Sequence, residues 1–127
     1  MSFRLSQRSK DRLKGVHPDL VRVVELAISL TSVDFAVTEG LRTRERQAQL
    51  LKEGKSKTMN SRHITGHAVD LAAWVGGTVN WDFTNYTKIA EAMKKASQQL
   101  SVPIVWGGDW KTFKDGPHFE LDRRFYP

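Results

Sequence analysis

The chain has no cysteine among its 127 residues, which excludes disulfide frameworks, thiolate zinc fingers, iron–sulfur clusters and thiol nucleophiles together. Any metal must therefore rest on His, Asp or Glu. Long apolar runs are also missing. The stretch from Val21 to Leu30 is interrupted by Arg22 and Glu25 and falls far short of the roughly 20 residues that span a bilayer, so no membrane insertion is expected. The opening Met1-Ser2-Phe3-Arg4 has neither the apolar run nor the small-residue cleavage site of a secretory signal, and the product is expected to be made, and at first to stay, in the cytoplasm. Internal repeats and low-complexity tracts are absent too. Gly and Pro are scattered as punctuation, and the length fits one globular domain, residues 1–127, with no room for a second of ordinary size.

What is present is a basic excess confined to one half. Residues 1–62 carry 13 Lys+Arg against 7 Asp+Glu, and residues 63–127 carry 7 against 7, so the whole net charge of +6 lies in the first half. Such a surface concentrates polyanions such as nucleic acid, anionic lipid or an acidic wall polymer, and it also fits a solvated face with no dedicated partner. Nucleic-acid binding would call for aromatics interleaved with the cations, yet all four Trp follow Asp70. No nucleic-acid partner is expected.

The periodicities outline an α+β chain. Pro18 supplies a first-turn φ for a helix in which Leu20, Val24, Ala27 and Ile28 share a face. Val33, Phe35 and Val37 alternate as in a half-buried strand that Gly40 ends. Thr43 reads as the N-cap of a helix running to Glu53 with Gly54 as its stop, and Lys55 to Arg62 reads as a basic loop. Ala68 to Ala72 reads as a strand with Val69 and Leu71 on one face, followed by a Gly76-Gly77 turn. A third helix is expected from about Thr84 to Leu100, and two short strands, Ile104-Val105-Trp106 and His118 to Leu121, flank a Gly/Asp-rich loop. With no strict βαβ alternation, the expectation is a small, mainly antiparallel sheet with about three helices packed against it.

Three of the four histidines sit near carboxylates in two glycine-bearing segments, Ser61-Arg62-His63-Ile64-Thr65-Gly66-His67-Ala68-Val69-Asp70 and Asp115-Gly116-Pro117-His118-Phe119-Glu120. A catalytic zinc takes three N or O ligands and keeps a fourth position for water. His63, Asp70 and His118 would supply such a set. Fully extended, residues 63 to 70 would separate their Cα atoms by roughly 23 Å, so the chain must fold back, and Gly66 is placed for that reversal. The pair His63 and His67 has helical i, i+4 spacing, but Thr65 and Gly66 between them argue against a helix, and the Glu of an HExxH motif is missing. Asp115 can swing towards water on the same metal, and Glu120 could be a rival base or an acceptor that orients an imidazole. Each residue has a plainer reading as well. A lone His63 or His118 is a hydrogen-bonded structural histidine, Asp70 a strand-end acceptor, Arg42 a solvated cation before a helix, and Trp106, Trp110, Phe113 and Phe119 core or cleft wall. Asp109 after two glycines reads as a turn residue, so a calcium site is possible but unsupported.

The spaced pattern Ser61-x-His63-x-x-Gly66-x-Ala68-x-Asp70 with Asp115-x-x-His118 resembles the signature of the zinc D-Ala-D-Ala carboxypeptidase and L-alanyl-D-glutamate peptidase group, related to the vancomycin-resistance D,D-dipeptidases. Glu39-Gly40-Leu41-Arg42-Thr43 with Gln47 resembles that group's upstream arginine segment, and Trp106-Gly107-Gly108-Asp109-Trp110 its aromatic glycine loop. The resemblance covers about Val33 to Glu120 and is strongest to phage endolysins. It implies a metallopeptidase fold with a zinc site in a cleft on the sheet, one zinc ion on His63, Asp70 and His118, Asp115 as general base, and Arg42 facing the substrate carbonyl or carboxylate. Ser61, Gln47 and Glu120 are implied as supporting or substrate-contacting residues. Many relatives carry Glu where Asp115 stands, which leaves Glu120 as an alternative base. The expected partner is the peptidoglycan stem peptide, cut at L-alanyl-D-glutamate by a monomer that stays in the host cytoplasm until a holin releases it. The alternatives are a D-alanyl-D-alanine carboxypeptidase or dipeptidase, and a non-catalytic wall-binding module.

Overall fold

The computed structural model describes residues 3–56, 59, 61–112 and 114–127. Among these, the elements in chain order are α1 (Gln7–Arg12), α2 (Pro18–Leu30), β1 (Phe35–Glu39), α3 (Arg44–Lys52), β2 (Ala68–Val75), β3 (Thr78–Asn80), α4 (Phe83–Leu100), β4 (Ile104–Trp106), a 3-10 turn (Gly107–Asp109) and β5 (His118–Leu121). All strand pairs are antiparallel, in the order β1-β2-β5-β4, with β3 forming a hairpin with the far end of β2. The α+β expectation holds.

Alternation along β2 divides the sheet into two faces. Val69, Leu71 and Ala73 join Phe119 and Leu121 of β5, Phe35 and Val37 of β1 and Trp106 of β4 in a buried cluster. The helices α2 and α4 cover that face with Leu20, Val23, Val24, Ala27, Ile28, Ile89, Met93 and Ala96. Truncating a fully buried ring such as Phe119 to Ala would cost about 3–5 kcal/mol. The opposite face carries Ala68 and Asp70 of β2 beside Glu120 and His118 of β5, which are their cross-strand partners. One sheet thus has a greasy side that holds it and a polar side that can be used.

The caps follow the sequence closely. Thr43 accepts from the Arg46 amide and Asp82 from the Thr84 amide, each meeting an orphan N–H at a helix start. Gly76 and Gly77 turn the β2–β3 hairpin at positive φ. Three expectations need correction. Among the described residues there are four α-helices rather than about three, because α1 has no apolar stripe: it answers the open edge of β1, where Ser9 Oγ accepts from the Val37 amide and Arg12 donates to the Val37 carbonyl. The first strand starts at Phe35 instead of Val33, because Thr31 Oγ1 engages both the N–H and C=O of Val33 in a turn. The strand that begins at Ala68 runs on to Val75 and gains β3. Within the expected loop at Lys55 to Arg62, Lys57, Thr58 and Asn60 lie outside the described residues, as do Phe113 and the first two residues of the opening segment.

Candidate metal centre

Asp70 and His118 face each other directly across β2 and β5. His63 reaches them from a tight reversal between α3 and β2. Gly66 turns that reversal at φ 76°, and a Cβ there would sit 2.5 Å from the Gly15 carbonyl oxygen, so both its conformation and its surroundings demand glycine. The fold-back inferred from spacing is therefore the one adopted. His63 Nε2 lies 3.3 Å and His118 Nδ1 3.4 Å from the same oxygen, Asp70 Oδ1. One ligand atom from each of the three residues falls within 4.8 Å of the others.

The opposite nitrogen of each imidazole is fixed from behind. His63 Nδ1 is 2.9 Å from the Gly40 carbonyl oxygen, and His118 Nε2 is 2.9 Å from Glu120 Oε1. Both partners can only accept, so those nitrogens carry the protons, and in neutral rings the lone pairs point at Asp70. Asp70 Oδ1 is buried and lacks a hydrogen-bond partner. Two lone pairs and a carboxylate converging on one point repel unless a cation lies between them. Two ligands about 2.0–2.1 Å from a tetrahedral ion stand roughly 3.4 Å apart, close to the two separations observed. The residues fit a metal.

Without a metal, a proton takes that place. Burial works to lower the His118 pKa, but hydrogen bonds and charge from Asp70 and Glu120 outweigh it and raise it to about 9. Burial likewise works to raise the Asp70 carboxyl, and the two imidazoles overcome it, holding the group far below the usual carboxylate range. Asp115 behaves in the opposite way. Burial, with the neighbouring Asp70 charge added, pushes its carboxyl up, which suits a group that must accept a proton.

Asp115 is placed by a close approach of two backbones. Its amide donates to the Gly107 carbonyl, and a Cβ on Gly107 would stand 2.4 Å from the Asp115 carbonyl oxygen. Trp106 Nε1 ties the next residue by donating to the Gly116 carbonyl. Asp115, the three candidate ligands, Arg42, Ser61 and Glu120 line one cleft of about 970 Å³. Ser61 Oγ accepts from the His63 amide, at the start of the reversal. His67 lies outside this group, its Nδ1 against Thr65 Oγ1. Asp109 pairs with Lys94 at 2.8 Å.

Arg42 is held more tightly than its sequence context indicated. Its side chain is 8 % exposed; Nε and Nη2 donate to the two oxygens of Glu39, and Nη1 donates to Gln47 Oε1. Nη2 lies 3.8 Å from Asp70 Oδ2. Glu39 reaches this face through a register shift between Val37 and Glu39 that sets it opposite Asp70. Gln47 is fully buried and donates to Ser56 Oγ. Trp110, expected as core or cleft wall, lines the cleft with its ring 5.1 Å from that of His118; the contributions of Glu39 and the Gly40 carbonyl were not assigned from sequence. A Glu three residues before a site Arg was the one available signal.

The phage L-alanyl-D-glutamate peptidase family matches residues 1–126. The chain belongs to this family. It is 32 % identical over 130 residues to the L-alanyl-D-glutamate peptidase of Escherichia phage T5, covering 99 % of this chain and 94 % of that one. It is 31 % identical over 111 residues to the peptidoglycan L-alanyl-D-glutamate endopeptidase CwlK of Bacillus subtilis, covering 77 % and 66 %. The crystal structure of the Serratia marcescens L-Ala D-Glu endopeptidase ChiX superposes with a TM-score of 0.94 at 48 % identity, covering 99 % and 95 %. The vancomycin-resistance D,D-dipeptidase VanXYg, at 18 % identity and a TM-score of 0.54 over 84 % of this chain and 50 % of that one, shares the fold.

Proposed function

We propose that the chain is a zinc-dependent endopeptidase that cuts the L-alanyl-D-glutamate bond of peptidoglycan stem peptides and serves as a phage endolysin. The observation that carries this reading is the set of three ligands, backed on their far sides and open to a cleft that also holds Asp115. A structural zinc would be closed by a fourth protein ligand, and among the described residues the group contains three. His63 Nε2, His118 Nδ1 and Asp70 would hold the ion. When bound, zinc supplies Lewis acidity that polarises a carbonyl and lowers the pKa of a water.

The chain's own residues do the rest. Asp115 accepts the proton of the attacking water and returns it to the leaving amine of D-glutamate. Arg42, fixed by Glu39 and Gln47, offsets negative charge that develops at the scissile carbonyl. Glu120 keeps His118 in the tautomer that offers Nδ1, which leaves Asp115 the free carboxylate in the cleft. The protein acts as a monomer and resides in the host cytoplasm until a holin opens the route to the wall. No helix of the described residues is long and apolar enough to cross a membrane.

Digestion of purified peptidoglycan, with mass spectrometry of the new ends, tests the reading. Free L-Ala carboxyl and D-Glu amino ends are expected from the zinc-loaded protein and not from His118→Ala. Released D-Ala would move the assignment to a D,D-carboxypeptidase. Tight wall binding without cleavage would leave only a binding module.

A further inference from the structure

Four aromatic side chains are strongly exposed among the described residues, and three of them fall within ten positions: Trp74 at 42 %, Trp81 at 67 % and Phe83 at 46 %. They occupy the β2–β3 hairpin and the start of α4. Trp74 continues the alternation of Asp70 and Ala72 and so stands on the metal-bearing face of β2, about 13 Å along the strand from Asp70. Phe83 is stacked on Trp106 with ring centroids 5.7 Å apart. Trp81 lies nearly parallel to Tyr86, at 10° and 6.1 Å. Phe83 and Tyr86 both press on Gly116, where a Cβ would meet the Phe83 ring at 3.4 Å and the Tyr86 Cβ at 3.2 Å. Gly116 follows Asp115 directly. Phe83 and Trp81 are therefore backed by the buried rings of Trp106 and Tyr86, and Phe83 reaches the turn that carries the proposed base.

Three large exposed aromatic side chains within ten positions mark a candidate interaction surface. Resting on the peptidoglycan reading above, the substrate limits what that partner can be. Between the scissile carbonyl and the glycan strand lie only the L-alanine and a lactyl group, together about two residue lengths or roughly 7 Å. A stem bound at the metal thus brings its sugars to the rim of the cleft. Pyranose rings present flat arrays of electropositive C–H groups, which suit the negative faces of indole and phenyl rings. We infer that Trp74, Trp81 and Phe83 form a stacking surface for the amino-sugar rings of the glycan strand, so that the enzyme recognises the strand as well as the stem.

Two readouts test this without depending on each other. The first compares kcat/KM for a disaccharide-linked stem peptide with that for the same peptide stripped of sugar. Wild type is expected to favour the glycan-linked form at least tenfold; Trp74→Ala and Trp81→Ala should each reduce that preference severalfold and leave the sugar-free rate unchanged. The second follows tryptophan fluorescence on addition of peptide-free glycan strands, where a saturable change is expected in wild type and a weaker one in Trp81→Ala. Both indoles are surface residues, and thermal melting of the variants checks that they fold. Equal rates on both substrates together with no fluorescence response would overturn the inference. So would self-association of wild type that the same substitutions abolish while glycan has no effect. Saturable glycan binding without cleavage of either substrate would uphold the stacking surface and overturn the peptidase reading.

Discussion

The two histidines of the centre are built alike and backed differently. His63 donates to a backbone carbonyl, a dipole fixed by the chain, whereas His118 donates to the Glu120 carboxylate, a charge. The first flank is anchored by steric fit: a Cβ on Gly40 would stand 2.1 Å from the Arg12 carbonyl oxygen. The second is anchored by electrostatics, with Arg62 Nε and Arg123 Nε at 3.8 and 3.6 Å from Glu120 Oε2. Burial pushes the Glu120 carboxyl up, yet His118 and the two guanidiniums hold it low. One ligand is therefore set by geometry and the other is tuned by charge, and only the second should respond strongly to pH and to conservative substitution.

The largest effect comes from removing a ligand on either flank. His63→Ala or His118→Ala should lose bound zinc and all detectable turnover together, read by elemental analysis beside a wall-lysis assay. Next is Asp115→Ala, expected to lower kcat by about 10²–10⁴ while zinc stays stoichiometric; near-normal turnover would show that another group carries the proton. Smaller again is the loss of the acceptor behind His118. Glu120→Ala should weaken zinc binding by about 10–100-fold with little change in melting temperature, whereas Gly40→Ala should lower affinity and melting temperature together, as steric anchoring requires. If both variants behaved alike, the contrast between the flanks would fail.

The smallest effect is one of pH on the metal-free protein. His118 titrates near 9 when folded and about 6.5 when unfolded, so the folded state holds that proton more tightly. The stabilisation is complete below about pH 6.5 and disappears as pH rises through 9. The melting temperature measured in chelator should therefore fall across that window. Zinc binding, which needs the neutral ring, should instead strengthen over the same range.

The candidate ligand set was legible because its chemistry is scarce: with no cysteine and four histidines, few sets could hold a metal, and Gly66 marked where the chain had to reverse. The helix α2 and the long helix α4 were legible from periodicity, and the starts of α2 and α3 from Pro18 and Thr43. What escaped depends on partners far away in sequence. The short α1 exists to meet the edge of β1, so its own residues carry no apolar stripe. Glu39 joins the site through a shift in strand register, which alternation alone cannot reveal. The Gly40 carbonyl is invisible to any reading based on side chains, although it fixes the tautomer of His63.

The central claim is that one metal ion sits between His63 Nε2, His118 Nδ1 and Asp70. Diffraction from zinc-soaked crystals at the zinc absorption edge tests it most directly. One anomalous peak is expected, about 2.0–2.2 Å from those three atoms, with the rings still bonded to Gly40 and Glu120. A peak on the opposite imidazole nitrogens, or one confined to His17 and His67, would contradict the account.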